Sequence, residues 1–335
     1  MAETLQDGTT RTSPRTLAAK LVRAAQVARE AEVRQSPNGV RFATFGETGV
    51  TGVDLDRMLE AVPTGIVASL KANTYYFVPL ALREPPEDLA PAAPELKAKL
   101  PKPRKPAAPE HAMVASAYTD EFSDAAICHR NIELGSGKRG VFISTRLLGD
   151  RFALSFEFFI NVAHAFVDQV GTPEVFADLV WKQAQGGIRG ETSIDAWETR
   201  NLAFGRPANA QPDPIPTSSR RNRGGMASFS ARQRAFASGG AAAITQVDAA
   251  AQGTPVDSQS ASNAKERGLY LDAAFSDAVA IYLLSLALDL DYSELREREY
   301  PLLTPAGLAA RLRLVAGLYP PNPGYEFAVK YRRRA

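Results

Sequence analysis

Cysteine and histidine are scarce in this 335-residue chain. A single cysteine, Cys128, excludes an internal disulfide and fits a reducing compartment. Three histidines are present, His111, His129 and His164. A three-imidazole metal site would have to use all of them, one from a proline-rich stretch. An excess of one charge sign is also missing: 39 basic residues face 37 acidic ones, for a net charge of +2. Overall charge therefore favours no nucleic-acid partner and excludes none. The N-terminal MAETLQDGTTRTSPR has no apolar signal core. The apolar run Ala278–Leu288 is shorter than the roughly 20 residues that cross a bilayer, and aspartates flank it. These absences predict a soluble, cytoplasmic protein.

No G-x-S-x-G, C-x-x-C or dinucleotide fingerprint occurs. Gly135-Ser136-Gly137-Lys138-Arg139 has the look of a phosphate loop, but Ile132 stands where the first glycine belongs, and Arg139 where a Ser or Thr would follow the lysine. It reads as a basic tight turn. Cys128-His129 does not make a nucleophile and base, because adjacent residues on one element point apart; an inert thiol is expected.

What the chain does have is a helix with a polar stripe. In Arg151–Val170, RFALSFEFFINVAHAFVDQV, the residues Glu157, Asn161, His164 and Asp168 fall at i, i+4, i+7 and i+11, on one face. Phe156, Phe159, Ile160, Ala163 and Val167 flank it on one side, and Phe158, Val162, Ala165 and Phe166 on the other. A helix apolar on both flanks is buried, so its polar stripe needs partners.

Around this helix the punctuation suggests an α+β chain: a mostly helical main domain with a small sheet, plus a small N-terminal α/β region. Residues 1–14 read as disordered and 15–82 as the N-terminal region, with a helix over Arg15–Arg34, strands at Val40–Phe45 and Thr74–Leu82, and a short helix at Val53–Val62. Residues 83–112 hold eight prolines and the basic run Lys97–Lys105, which is linker composition. The main domain spans 113–320, with a strand at Gly140–Ser144, helices after Thr172-Pro173 and Thr304-Pro305, a helix over Glu191–Phe204, and a long helix near Ala264–Leu288. Residues 205–263 form a flexible insertion and 321–335 a basic tail. Arg220, Arg221 and Arg223 in the insertion are suited to phosphate backbones or an acidic protein surface. Aromatic interleaving is thin, so a solvated linker is the favoured reading there.

The order strand (Val141–Ser144), buried helix carrying Asn161-Val162-Ala163-His164, and later helix carrying Leu271-Asp272-Ala273-Ala274-Phe275-Ser276-Asp277 resembles the core of the zincin metallopeptidases. In that family a strand precedes a helix bearing H-E-x-x-H, and a later helix supplies a third, acidic ligand. With His164 as the second histidine, the first falls on Ile160 and the catalytic glutamate on Asn161. The resemblance therefore implies a zincin-like fold with catalysis lost, no cofactor, and a binding or structural role with protein partners. Three other readings stay open. The stripe is a hydrogen-bonded core network with Arg130 or Arg146 as counter-charge. His164 and Asp168, completed by Asp272, Asp277 or Glu198, hold a divalent transition metal (Mn, Fe or Zn) for hydrolysis. The chain is one component of a larger assembly, its Pro-rich and Gly/Ala-rich segments ordering on partners.

Overall fold

The computed structural model describes residues 20–83, 111–208, 210, 255–288 and 300–329, with the side chains of the helix that begins at 255 described from 263 onward. The protein is α+β, with helices packed beside two small sheets.

The central element is strand β4 (Asn73–Val78), buried along its whole length. A strand of Thr, Tyr, Phe and Val covered on both faces belongs in the middle of a sheet. It pairs in parallel with β3 (Arg41–Thr44) and with β9 (Arg139–Ser144). Two antiparallel edges complete this five-stranded sheet: β2 (Arg34–Gln35) beside β3, and β8 (His129–Glu133) beside β9. The turn Gly135–Lys138 closes the β8–β9 hairpin. Gly135, Ser136 and Gly137 all take positive φ there, which explains the two glycines and bears out the basic turn.

Alternation along β4 divides the core. Tyr75 and Phe77 join Phe42, Val141 and Ile143 on the face covered by helices. Tyr76 and Val78 join Ala43 and Phe142 on the other face, under Val22, Val27 and Val114. That second face is covered by the four-stranded antiparallel sheet β1–β6–β5–β7 and by helix α1 (Ala24–Glu30). Its strands are β1 (Leu21–Arg23), β5 (Leu80–Leu82), β6 (Met113–Ala115) and β7 (Ala126–Ile127). Each sheet takes strands from both sides of 83–112. The expected N-terminal region is thus built into the same sheets as the start of the main domain.

Two expected elements change. The helix over Arg15–Arg34 gives way, within its described part, to β1, the two turns of α1, and β2. Pairing of Leu21–Arg23 with Met113–Ala115 outweighs the helical propensity of an Ala/Arg/Glu-rich stretch. The strand at Thr74–Leu82 is two strands, because Pro79 interrupts the ladder and sends β5 into the other sheet. Short helices α2 (Gly52–Glu60), α3 (Thr64–Val67), α4 (Asp120–Ser123) and α5 (Thr145–Leu148) fill the connections.

The helical layer holds α6 (Arg151–Val170), α7 (Glu174–Gln185), α8 (Ile194–Ala203), α9 (Pro255–Ala287) and α10 (Pro305–Leu318). Side-chain caps start three of them: Asp150 accepts from Ala153 N, Ser193 from Ala196 N, and Thr304 from Gly307 N. Before α7 the expected threonine cap is not used. Pro173 takes the capping position, and Thr172 Oγ1 donates instead to Asp272 Oδ1 at 2.7 Å. Helix α9 packs along α6 and α8. Its Asn263–Ala287 portion is long and apolar enough to cross a membrane by length and composition. However, 72% of its most apolar window is buried inside the protein, by Phe166 and Phe176 among others. The expected disordered N-terminus, the proline-rich segment up to residue 110, most of the insertion with Arg220, Arg221 and Arg223, and the end of the basic tail lie outside the described residues.

Candidate functional site

The four stripe residues do not share one environment. Helix α6 dives into the core and emerges, so the stripe runs from interior to surface: Glu157 and Asn161 are buried, His164 and Asp168 exposed. Aromatic packing holds the buried half. Phe158 meets Tyr75 edge-on, with ring centroids 5.0 Å apart, and Phe159 beside it is fully buried.

Glu157 has a fully buried carboxylate. Its Oε1 receives Asn161 Nδ2 at 3.1 Å and pairs closely with Nδ1 of His129. Asn161 Nδ2 also reaches the Glu157 carbonyl one turn back, at 2.9 Å. Oε2 is buried and has no hydrogen-bond partner, an uncommon condition for a carboxylate oxygen. His129 comes from edge strand β8, opposite Ile143, and so faces α6. Its chain neighbour Cys128 packs into the hydrophobic core, so the two do point apart.

The expected counter-charge is thereby corrected. His129 meets Glu157, whereas Arg146 donates from Nε to the Glu47 carbonyl at 3.0 Å and lines a pocket with Tyr118. Arg130 follows His129 on β8, opposite Phe142 on the far face of the sheet. At the outer end of the stripe, Arg139 Nη1 lies 3.3 Å from Asp168 Oδ2, both half-exposed.

His164 is open to solvent, yet desolvation lowers its pKa, against the pull of Asp168, Asp195 and Glu157. Asp195, in the first turn of α8, shows the same combination: it is exposed, with its pKa raised by desolvation and drawn down by His164. One turn along, Glu198 is half-buried, and its pKa is raised by desolvation and then by Asp195. His164 of α6 and Asp195 and Glu198 of α8 are thus electrostatically coupled, Asp195 to each of the other two.

The candidate metal ligands separate. Asp168 is paired with Arg139 and Asp272 with Thr172. Asp277 lies five residues after Asp272, on another face of α9. It is buried and accepts from Thr192 Oγ1 at 2.7 Å. Burial raises its pKa to about 7, while hydrogen bonds from Ser193 and Thr192 work against that rise. Among the described residues, no group of three or more His, Cys, Asp or Glu side chains is arranged to hold a metal ion. The set His164, Asp168, Asp272 and Asp277 is therefore not brought to one point.

Sequence reasoning missed a second polar centre altogether. Glu191, fully buried, binds Arg311 Nη1 at 2.8 Å through Oε2. Its Oε1 receives Tyr270 OH at 2.6 Å and Arg200 Nη1 at 3.1 Å. Arg311 Nε donates to Gln183 Oε1 at 2.8 Å, and Arg200 also caps the carbonyls of Gly190 and Ile188. The backbone of Glu191 bridges to Pro301 and Leu303. One readable hint existed: Arg311 interrupts the apolar face Leu308, Leu312, Val315 of α10. Its acidic partner lies 120 residues away and gave no signal of its own.

No protein-family model, curated protein or solved structure matches this chain.

Proposed function

We propose that this protein is a non-catalytic, zincin-like pseudo-metallopeptidase with a binding or structural role. The supporting order is strand β9, then α6, then a later helix, α9, packed along α6. The observation that carries the loss of catalysis is what occupies the motif positions. Ile160 packs against the hydrophobic core, and Asn161 turns back to hydrogen-bond Glu157. Neither offers an imidazole or a carboxylate to a zinc ion. Sliding the motif one turn earlier keeps a glutamate, Glu157, but sets Phe156 and Ile160 in the histidine positions. On the later helix, the aspartate of Phe275-Ser276-Asp277 is held by Thr192. Protein partners in a reducing cytoplasm complete this reading.

The test is to incubate the full chain with a fluorescent casein, with added zinc and with chelator. No cleavage above buffer is expected under either condition. Chelator-sensitive cleavage that disappears in Asn161→Ala or His164→Ala would overturn the reading.

A further inference from the structure

The three parallel strands β3, β4 and β9 end side by side, and the chain leaves them in different directions. After β3 and β9 it turns to the face covered by α2, α5 and α6, whereas after β4 it passes through Pro79 into β5 of the other sheet. Diverging exits open a crevice beyond the carboxyl ends of parallel strands, which is where such sheets bind ligands. A cavity of about 380 Å³ is lined, among the described residues, by Glu47 from the loop after β3, Arg146 just beyond β9 and Tyr118 from the segment after β6. It therefore stands at that crevice, and its volume is that of a small-molecule site.

The walls are held from several sides. Glu47 N donates to the Ser116 carbonyl at 2.8 Å, Arg146 N to the Pro79 carbonyl at 3.1 Å, and Thr145 Oγ1 to the Thr48 carbonyl at 2.8 Å. Arg146 Nε donates to the Glu47 carbonyl at 3.0 Å, which orients the guanidinium and leaves Nη1 and Nη2 with no acceptor among the described residues. Gly49, at φ +69°, lets the guanidinium lie there, since a Cβ would stand 2.5 Å from its Cζ and Nη1. Tyr118 leaves 45% of its surface exposed beside it.

We infer that this cavity binds a small organic carboxylate, its two oxygens paired with Nη1 and Nη2 of Arg146 and its apolar body against the Tyr118 ring. Two unengaged nitrogens on one planar fork match the two oxygens of a carboxylate. A guanidinium already fixed through Nε has less freedom to lose when the ligand arrives. A dianionic phosphate is the poorer fit, because Glu47 brings a negative charge to the same wall. The cavity lies apart from the polar stripe of α6, and the inference does not rest on the zincin-like reading.

Saturation-transfer NMR of benzoate against the full chain tests it. Saturable binding at one site is expected, while benzamide, equal in shape but uncharged, should give none. Arg146→Lys keeps the charge but loses the fork, and should weaken benzoate about tenfold. Because Nε of Arg146 also holds the loop at Glu47, Tyr118→Ala is the second variant. Its side chain is half-exposed, so the fold remains, and benzoate should bind about fivefold more weakly. The inference is overturned by no saturable benzoate signal, by equal binding of benzamide, or by unchanged affinity in either variant. Inorganic phosphate that displaces benzoate at lower concentration than benzoate itself requires would overturn the carboxylate assignment in favour of a phosphate site.

Discussion

Two buried carboxylates, Glu191 and Glu157, receive opposite treatment. Both oxygens of Glu191 are engaged, by Arg311, Arg200 and Tyr270. Burial opposes the charge on Arg311, but Glu191 outweighs it, and the pKa of Arg311 is raised. This centre ties α7, α8, α9 and α10 to one another, and Glu191 and Arg311 are sealed from solvent. Glu157 has one oxygen crowded by His129 and Asn161 and the other without a partner, on a stripe that opens to solvent three residues after Asn161. A saturated network is a structural joint. A network left one donor short gives less to the fold than its burial costs.

The largest expected effect comes from breaking the joint. Arg311→Ala leaves Glu191 buried without its main partner and opens a cavity, so a loss of about 5 kcal/mol in urea unfolding is expected. Phe159→Ala, which removes no member of either polar network, should cost about 4 kcal/mol through its cavity alone.

Asp277 joins the two regions, since Thr192 and Ser193, which bond it, link Glu191 to the start of α8. Its folded pKa of about 7 lies above the usual 3.8, so the folded state binds the proton more tightly. Stability from this group is therefore complete below about pH 4 and is lost as pH rises through 7. The loss between pH 5 and 8 should be roughly 2–3 kcal/mol. Asp277→Asn should flatten that slope in a pH series of unfolding curves and be the more stable form at pH 8. An unchanged slope would assign the pH dependence to other groups. The smallest effect is at the rim: Arg139→Ala removes a half-exposed pair and should change stability by less than about 1 kcal/mol.

Local rules made the helical layer legible. Thr304 was readable as a helix start and caps α10, whereas Thr172 was read the same way and is not the cap of α7; the aromatic flanks of Arg151–Val170 foretold a buried helix with the bounds observed. The stripe itself was readable as a face, but its exit into solvent after Asn161 depends on where α9 sits against α6. The partner of Glu157 was not readable. His129 reaches it only because β8 is registered against β9, a pairing that no periodicity within 129–133 announces. Likewise, β1 was hidden inside a helical composition because its strand character comes from β6, about 90 residues on. Asp272 and Asp277 stand on different faces of α9, the first bonded to Thr172 and the second to Thr192, a separation that five residues of helix dictate.

The contrast between the two carboxylates is tested most directly by making the same isosteric change at each, Glu191→Gln and Glu157→Gln, and measuring unfolding free energy. Glu191→Gln should cost about 3 kcal/mol. Glu157→Gln should cost no more than about 1 kcal/mol, since its Oε2 has no donor to lose. If Glu157→Gln proves the more destabilising, the stripe is a structural joint like the other, and the account is wrong.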